Sequence, residues 1–409
     1  MEKHCVNDKF FIEINTVIKW KMSLKERLNL SELEAKKPIA LDASGNYLSI
    51  KDLEAKKPYV ALTTLAPEQQ QELVLKRYEM EEDFEISILA GDRLNKADVM
   101  KQIEDRTVFG IEAMRAELSY LSDVYAEVSI EEIKEELPET VDLSPWPPVE
   151  YRVIPKKYWP WFFRRYAVFA EDTDTAITKS AANYRSRYVI PCFKNKNIYP
   201  IVLTGTNDTR PNFAKACKQS GVVYISGVGH GSPTAYTGYN YDHLWDACNY
   251  DPAEVKGKII HLLSCKTAQE LGPDLIKKGA CAYFGYYENF TITWNHPDVF
   301  WKCDSSIDLA LCNGLDAGTA AKVAIQVYNS WITQMRAIHV PTAVWLTWDR
   351  DALRSPLHGR QYGSSTCTLR RVPFFEEIEA ELVEVALKEI EVTDEVTFSI
   401  KDLFAEFTK

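Results

Sequence analysis

Short runs of apolar, β-branched residues alternate with helical patterns through the middle of this 409-residue chain. The runs at 166–170, 199–203, 221–229 and 258–263 are bounded by turn-forming residues, which predicts buried strands of a parallel sheet. The pattern at 212–218 predicts a helix between two of these strands. Strands that alternate with helices predict an α/β fold built on a parallel sheet.

The N-terminal part has a different pattern, in which charged helical segments alternate with short strands. Pro67 followed by Glu68 is typical of the start of a helix. Apolar and polar residues alternate at 84–90, as they do in a strand. Asn95 is a candidate cap for a long amphipathic helix that is interrupted or bent near Gly110. We therefore expect a mixed, largely helical N-terminal domain.

Composition shifts suggest where the domains begin and end. A proline-rich segment follows the charged N-terminal part and favours an extended linker. The last segment is acidic and is ambiguous between helix and strand. The predicted units are a domain at 1–137, a linker at 138–160, a catalytic domain at 161–365 and an acidic appendage at 366–409.

Two of the predicted strands end in residues that could carry out thiol chemistry. One run closes on His230 and Gly231, and the run at 258–263 is followed by Ser264 and Cys265. Chemistry gathers beyond the carboxyl ends of parallel strands, and neighbouring strands lie about 4.8 Å apart. The intervening segment of about 34 residues is long enough for a crossover, so the two side chains are expected to meet.

A cysteine beside a histidine has a specific chemical use. The nucleophile is the thiolate, and an imidazole can take the thiol proton and later protonate a leaving amine. The backbone N–H groups of Gly231 and Cys265 could supply two donors of an oxyanion hole. No third residue that orients His230 can be identified from sequence, because such partners are adjacent only in space.

A family resemblance rests on three stretches of this sequence. They are Tyr224 to Ser232, His261 to Ala268 and Lys278 to Gly285. In this order they resemble the caspase-like (clan CD) cysteine peptidases, nearest to gingipains and CHAT-domain peptidases. The resemblance covers about half the chain and implies a caspase-like α/β/α sandwich with His230 and Cys265 as the catalytic dyad.

The same resemblance implies further features. The segments beginning at Trp348 and Leu357 look like the closing strand and turn of that family. Gingipain-like relatives wall their specificity pocket with an aromatic residue near here, which makes Trp294 and Glu288 pocket candidates. Asp172 and Asp174, which lie beyond the strand predicted at 166–170, are weaker candidates that could instead cap a helix. Leu263 and Ser264 stand where many relatives carry an acid before the cysteine, so a preference for Arg or Lys is not supported.

Composition narrows the function classes. The net charge of -11 argues against a nucleic-acid binder, since neutralising phosphates requires clustered Lys and Arg. Nine cysteines without regular spacing fit a reducing compartment, and Cys281 is expected to be a buried thiol. No secretory signal or membrane-spanning run is evident, which predicts a cytoplasmic protein without a membrane partner.

Other chemistry is less well supported by the sequence. No cofactor or metal is expected, because the remaining histidines lack a metal-ligand spacing, and His261 is interpreted as a packed core residue. The expected substrate is a protein or peptide, cleaved as by an endopeptidase. Two alternatives stay open: a transpeptidase or transamidase with the same dyad, and a catalytically silent scaffold. The N-terminal region could recruit substrate or bind an activating or assembly partner.

Overall fold

The computed structural model describes residues 23–129, except 56, 90 and 92, and residues 164–369. The predicted linker at 138–160 and nearly all of the predicted appendage lie outside these residues, and the domain boundaries remain predictions. In chain order the strands are β1 (Ala40–Leu41), β2 (Tyr47–Leu48), β3 (Glu85–Ile88), β4 (Arg93–Asn95), β5 (Arg165–Glu171), β6 (Ile198–Thr204), β7 (Val222–Val228), β8 (Ala235–Thr237), β9 (His243–Asp246), β10 (Ile259–Leu263), β11 (Ala282–Tyr286), β12 (Thr291–Thr293) and β13 (Leu353–Arg354).

The helices fall into an N-terminal group and a group that covers the sheet. In chain order they are α1 (Leu24–Arg27), α2 (Ile50–Glu54), α3 (Pro67–Glu79), α4 (Lys96–Glu104), α5 (Val108–Ser129), α6 (Ala176–Tyr188), α7 (Ile190–Asn195), α8 (Arg210–Cys217), α9 (Leu271–Lys277), α10 (Pro297–Cys312), α11 (Ala317–Ile338) and α12 (Val340–Ala352). Within the described ranges, none of these helices combines the length and hydrophobicity that a bilayer span requires.

A six-stranded sheet forms the centre of the described structure, in the order β13-β11-β10-β7-β5-β6. All neighbouring strands are parallel except β13, which pairs antiparallel with β11. The predicted α/β fold is confirmed, and so are the strands predicted at 166–170, 199–203, 221–229 and 258–263. Strand β7 lies between β5 and β10, so three successive strand ends share one edge of the sheet.

Both faces of the sheet are buried. Phe169 and Tyr224 pack on one face with helices α6, α7, α10 and α11, while Val168 and Ile225 pack on the other with α8 and α9. Because successive side chains of a strand point to opposite faces, a strand buried on both sides must be apolar throughout. This explains why the central strands are continuous apolar runs in the sequence.

The N-terminal elements pack against the same structure rather than apart from it. Strand β3 pairs with β4 and also with β12, which follows β11 along the chain. Asn95 caps α4 by accepting a hydrogen bond from the Asp98 N–H, as predicted. The interruption expected near Gly110 lies between α4 and α5, where Arg106 adopts a φ of 49°.

Two predictions about the C-terminal part of the sheet are wrong. The segment that begins at Trp348 is not a strand at its start, because α12 continues to Ala352 and only Leu353–Arg354 pairs with β11. Cys281 is not a free thiol but forms a disulfide with Cys367. The chain after α12 returns along β11, where the Ser364 N–H donates to the Cys281 carbonyl, and this brings the two cysteines together. No other disulfide occurs within the described residues.

Candidate active site

His230 and Cys265 lie at matching positions beyond two adjacent parallel strands. The last paired residues of β7 and β10 are Val228 and Leu263, and each candidate follows its strand by two residues. The Gly229 N–H continues the pairing by donating to the Leu263 carbonyl at 3.3 Å. The register therefore brings the two side chains to the same edge of the sheet, one strand spacing apart.

The backbone changes direction sharply immediately after Cys265. Lys266 has a φ of 61°, a left-handed conformation that is uncommon for a residue with a side chain. Its N–H donates to the Glu288 carbonyl at 3.1 Å, which ties the turn to the loop after β11. This turn ends the strand and leaves Cys265 at its tip.

Gly231 must be a glycine because the two loops touch there. A Cβ atom at this position would lie 2.7 Å from the Cys265 carbonyl oxygen and 2.8 Å from the Thr267 methyl group. No real Cβ approaches other atoms so closely, so any side chain would push the loops apart. The contact places Gly231 next to Cys265, as a shared role in binding an oxyanion would require.

Asp172 lies on the other side of His230, just beyond the end of β5. Its Oδ2 atom is 3.7 Å from His230 Nε2, and both side chains are almost fully buried. Burial lowers the pKa of His230, and the Asp172 carboxylate partly opposes this. Burial also raises the pKa of Asp172. The surroundings thus favour a neutral imidazole, which is the form that can accept a proton.

The loop between β8 and β9 covers the outer side of His230. The Tyr241 ring stacks on the imidazole with ring centroids 4.9 Å apart. Asp174 holds this loop by accepting a hydrogen bond from the Asn240 N–H, and its own N–H donates to Asp172 Oδ1 at 2.9 Å. Asp172 and Asp174, predicted as pocket residues, are therefore occupied in contacts around His230.

The other two pocket candidates lie in different surroundings. Glu288 is half-buried beside the turn after Cys265, with its carboxylate 4.0 Å from Arg115. Trp294 lies four residues along the chain from Phe290, where its indole donates to Ser87 Oγ and Arg93 lies over its ring. With Phe84 and Met100, Trp294 lines a cavity of about 620 Å³ beside the N-terminal elements. The structure thus brings Glu288 near Cys265 and turns Trp294 toward β3 and β4.

A network of buried charges lies below the site. His261, in the strand that precedes Cys265, is within 3.1 Å of Asp304 and 3.2 Å of Asp308. Arg185 joins Asp308 to Glu171, with nitrogen to oxygen distances of 2.9 Å for each pair. Burial lowers the pKa of His261, but the two aspartates outweigh it and raise the pKa to about 9.

Three members of this network, His261, Asp304 and Asp308, are also of the residue types that bind metal ions. The ligand atoms of His261, Asp304 and Asp308 all lie within 4.8 Å of one another, as a metal site would require. The guanidinium of Arg185, however, is 2.9 Å from Asp308 and 3.9 Å from Asp304. A fixed cation already neutralises these carboxylates, so the geometry fits an ion-pair network better than a metal site. His261 is a core residue, as predicted, although a charged one.

Asp208 is a second buried acid near the site, just after β6. It is completely buried, and neither carboxylate oxygen has a hydrogen-bond partner within the described residues. Burial, together with nearby carboxylates that include Glu171 and Asp172, raises the pKa of Asp208 to about 8. A carboxyl group in this setting is stable only when it is protonated.

The raised pKa of Asp208 predicts a pH-dependent effect of Asp208→Asn. Stability that comes from a raised pKa is complete below the unfolded value near 3.8 and is lost as the pH rises through about 8. Asn cannot ionise, so the free energy of unfolding of the variant should exceed that of the wild type by on the order of 5 kcal/mol at pH 9. Near pH 4 the two proteins should differ little. Urea unfolding at both pH values measures this, with Asp83→Asn at an exposed position as control. A constant difference across the pH range would contradict it.

Comparison with known proteins gives only a distant structural likeness. The chain is similar to the crystal structure of the Arg-specific cysteine proteinase gingipain R, with 12% identity and a TM-score of 0.33, over 51% of this chain and 48% of that one. It is also similar to the complex of the Porphyromonas gingivalis RgpB pro- and mature domains, with 14% identity and a TM-score of 0.31, over 47% of each chain. The chain thus spans about half the length of both. No family model and no curated protein matches the chain.

Two neighbours of the candidate residues were not predicted in these positions. Asp172, a weaker pocket candidate that could instead have capped a helix, lies beside His230. Glu112 of the N-terminal part, whose carboxylate lies 3.3 Å from the ammonium group of Lys266, was not expected beside this site. Both positions depend on contacts between segments that are distant in the sequence. The one available signal for Asp172 was its place just beyond the strand predicted at 166–170, because strand ends converge at one edge.

Proposed function

We propose that this protein is a cysteine endopeptidase in which Cys265 is the nucleophile and His230 is the general acid and base. The observation that carries the proposal is the register of β7 and β10, which sets both residues at one level of one sheet edge. The contact of Gly231 with the Cys265 loop and the position of Asp172 beside His230 support it.

The proposed reaction balances without any further group. His230 takes the thiol proton on Nδ1, the ring nitrogen that does not face Asp172, as the Cys265 sulfur bonds to the substrate carbonyl carbon. The N–H groups of Gly231 and Cys265 bind the developing oxyanion. His230 then protonates the amine as the carbon–nitrogen bond breaks. Water hydrolyses the thioester, releases a carboxylic acid and restores the thiol.

Product analysis separates hydrolysis from acyl transfer. A mixture of unlabelled peptides is incubated with the protein in the presence of a free peptide amine, and the products are identified by mass spectrometry. The proposal predicts free carboxylic acids at the new C-termini. Products ligated to the added amine would instead indicate a transpeptidase. Unchanged peptides, together with a Cys265 that stays unreactive even in a variant that exposes it to solvent, would indicate a silent scaffold.

Asp172 is proposed as a positioning residue that acts through His230. Its carboxylate raises the pKa of His230 against the opposing effect of burial. Asp172→Asn should therefore lower kcat by roughly 10²-fold, within the range of general acid–base catalysis. It should also move the acidic limb of the pH–rate profile to lower pH, because His230 then loses its proton more readily. Asp298→Asn, which removes an exposed carboxylate from α10, is the matched control, and an unmoved acidic limb in Asp172→Asn would contradict the role.

A further inference from the structure

The candidate nucleophile is buried by a segment that comes from the N-terminal part of the chain. Cys265 is completely buried, and His230 is 6% exposed. The carbonyl oxygen of Phe290 lies 4.0 Å from Cys265 Sγ, and the same oxygen accepts a hydrogen bond from the Leu89 N–H at 2.9 Å. Leu89 itself is completely buried. Leu89 is therefore hydrogen-bonded directly to the residue whose carbonyl oxygen lies over Cys265 Sγ.

Leu89 belongs to the β3–β4 hairpin, residues 85–95. Strand β3 is hydrogen-bonded antiparallel to β12, with Ile86 opposite Thr293 and Ile88 opposite Thr291. The Trp294 N–H donates to the Glu85 carbonyl at 2.9 Å and extends the pairing by one residue. The hairpin thus covers the edge of β12, the strand next to the site, with an extended backbone. Extended peptides commonly bind proteins by adding a strand to an exposed edge.

A second contact from the N-terminal part holds the turn that carries Cys265. Glu112, near the start of α5, lies 3.3 Å from the ammonium group of Lys266 and accepts a hydrogen bond from Asn289 at 2.7 Å. Lys266 follows Cys265 directly, and Asn289 precedes Phe290. The carboxylate is almost fully buried, so its contacts are poorly screened by water. Helix α5 and the hairpin therefore both contact the segment at 289–290, and α5 also contacts the residue after Cys265.

We infer that the β3–β4 hairpin, held by Glu112 of α5, is an autoinhibitory cap that keeps substrate from Cys265 until it is displaced. The inference rests on the proposed function and names its regulation. The hairpin occupies the edge of β12 in cis, so an extended substrate and the hairpin compete for the same space. Displacement leaves the central sheet intact, since β3 and β12 belong to a separate three-stranded sheet.

The cap can be locked with a disulfide between its two facing strands. Ile86 and Thr293 are directly opposite, and Cβ atoms of such pairs lie about 4.5–5.5 Å apart, close to what a disulfide requires. In the double variant Ile86→Cys/Thr293→Cys, oxidation should hold the hairpin closed and reduction should release it. The wild type, treated with the same oxidant and reductant, controls for effects on the Cys281–Cys367 disulfide.

The cap can also be loosened at its second contact. Glu112→Ala removes the partner of Lys266 and Asn289, while Glu104→Ala removes an exposed carboxylate from α4 and is the matched control. Thermal unfolding checks that each variant is folded. The oxidised double variant and Glu112→Ala shift the cap in opposite directions, so misfolding cannot mimic both results.

Access to Cys265 is measured with iodoacetamide, a small reagent that needs no catalysis, after removal of the reductant. Peptide mapping by mass spectrometry gives the alkylation rate at Cys265, with exposed Cys248 as internal reference. We expect at least a tenfold lower rate in the oxidised double variant than in its reduced form. We also expect a roughly tenfold higher rate in Glu112→Ala than in the wild type, with Glu104→Ala unchanged.

The results of alkylation and of peptide cleavage test the cap and the proposed peptidase activity separately. Equal alkylation rates at Cys265 in the locked, reduced and Glu112→Ala proteins would overturn the cap, whatever the protein catalyses. Rates that change as expected, without reaction toward a peptidyl electrophile in any variant, would support the cap and overturn the proposed peptidase. Parallel changes in alkylation and peptide cleavage would support both.

Discussion

Replacing Cys265 with alanine should reduce peptide cleavage below detection, and replacing His230 with alanine should lower kcat by roughly 10²- to 10⁴-fold. Without the thiol no thioester can form, and without the imidazole the thiol keeps its proton at neutral pH. Cleavage rates of a peptide substrate measure both effects, with each substitution made in the wild type and in the Glu112→Ala background that loosens the cap. Cys248→Ala, at an exposed position away from the sheet edge, is the matched control and should retain full activity.

The two variants should also behave as one unit. If His230 acts only by activating Cys265, the double variant should be no worse than Cys265→Ala alone, because residues that act together are not additive. Cleavage that survives in Cys265→Ala would assign the chemistry to other residues. Full activity in His230→Ala would likewise contradict the dyad.

Replacing Asp308 with asparagine should destabilise the fold by about 3–5 kcal/mol, the range for breaking a buried ion pair. Asp308 is completely buried and accepts hydrogen bonds from Tyr224 at 2.7 Å and Ser226 at 2.8 Å. Burial alone would raise the pKa of Asp308, but Arg185 and His261 hold it well below its usual range. The substitution would leave the Arg185 charge without one of its two hydrogen-bonded carboxylates.

Urea unfolding at pH 7 measures this loss. The control is Glu79→Gln, which breaks the Lys76–Glu79 pair, where both side chains are about half exposed. A pair of that kind contributes about 0–1 kcal/mol, so the control should change the free energy of unfolding little. If Asp308→Asn lowered the free energy of unfolding as little as the control does, the expected contribution of the network to stability would be contradicted.

The buried network also connects stability to the site. Its members lie on the three adjacent strands that carry the candidate residues: Glu171 on β5, Ser226 on β7 and His261 on β10. Arg185 binds Glu171 and Ser226, and Asp308 binds both Ser226 and His261. The network therefore fixes the spacing of the strand ends from which Asp172, His230 and Cys265 project.

The central sheet and the positions of His230 and Cys265 could be predicted because local sequence determines them. A strand buried on both faces must be apolar throughout, and turn-forming residues must follow it. The run at 258–263 and the two residues after it, Ser264 and Cys265, could therefore be identified from the sequence alone. Parallel order then implies a shared edge. Asn95 was readable for a similar reason, since a helix cap depends on residues only three positions apart.

The remaining features depend on contacts between distant segments. Cys281 and Cys367 are separated by 86 residues, and only the return of the chain along β11 brings them together. Strand β12 has only three residues, and its partner β3 lies about 200 positions earlier in the chain. No local sequence pattern predicts such a pairing. The position of Asp172 beside His230 was hidden for the same reason. Its neighbour in space, His230, is determined by strand order and not by spacing in the sequence.

One labelling experiment would decide whether Cys265 is an activated nucleophile. A panel of peptidyl acyloxymethyl ketones is incubated with the wild type, Glu112→Ala and His230→Ala, and the modified peptides are identified by mass spectrometry. We expect a single adduct on Cys265, faster in Glu112→Ala than in the wild type and absent in His230→Ala. No adduct in Glu112→Ala, although iodoacetamide reaches Cys265, or equal labelling of several thiols would contradict a Cys265–His230 peptidase.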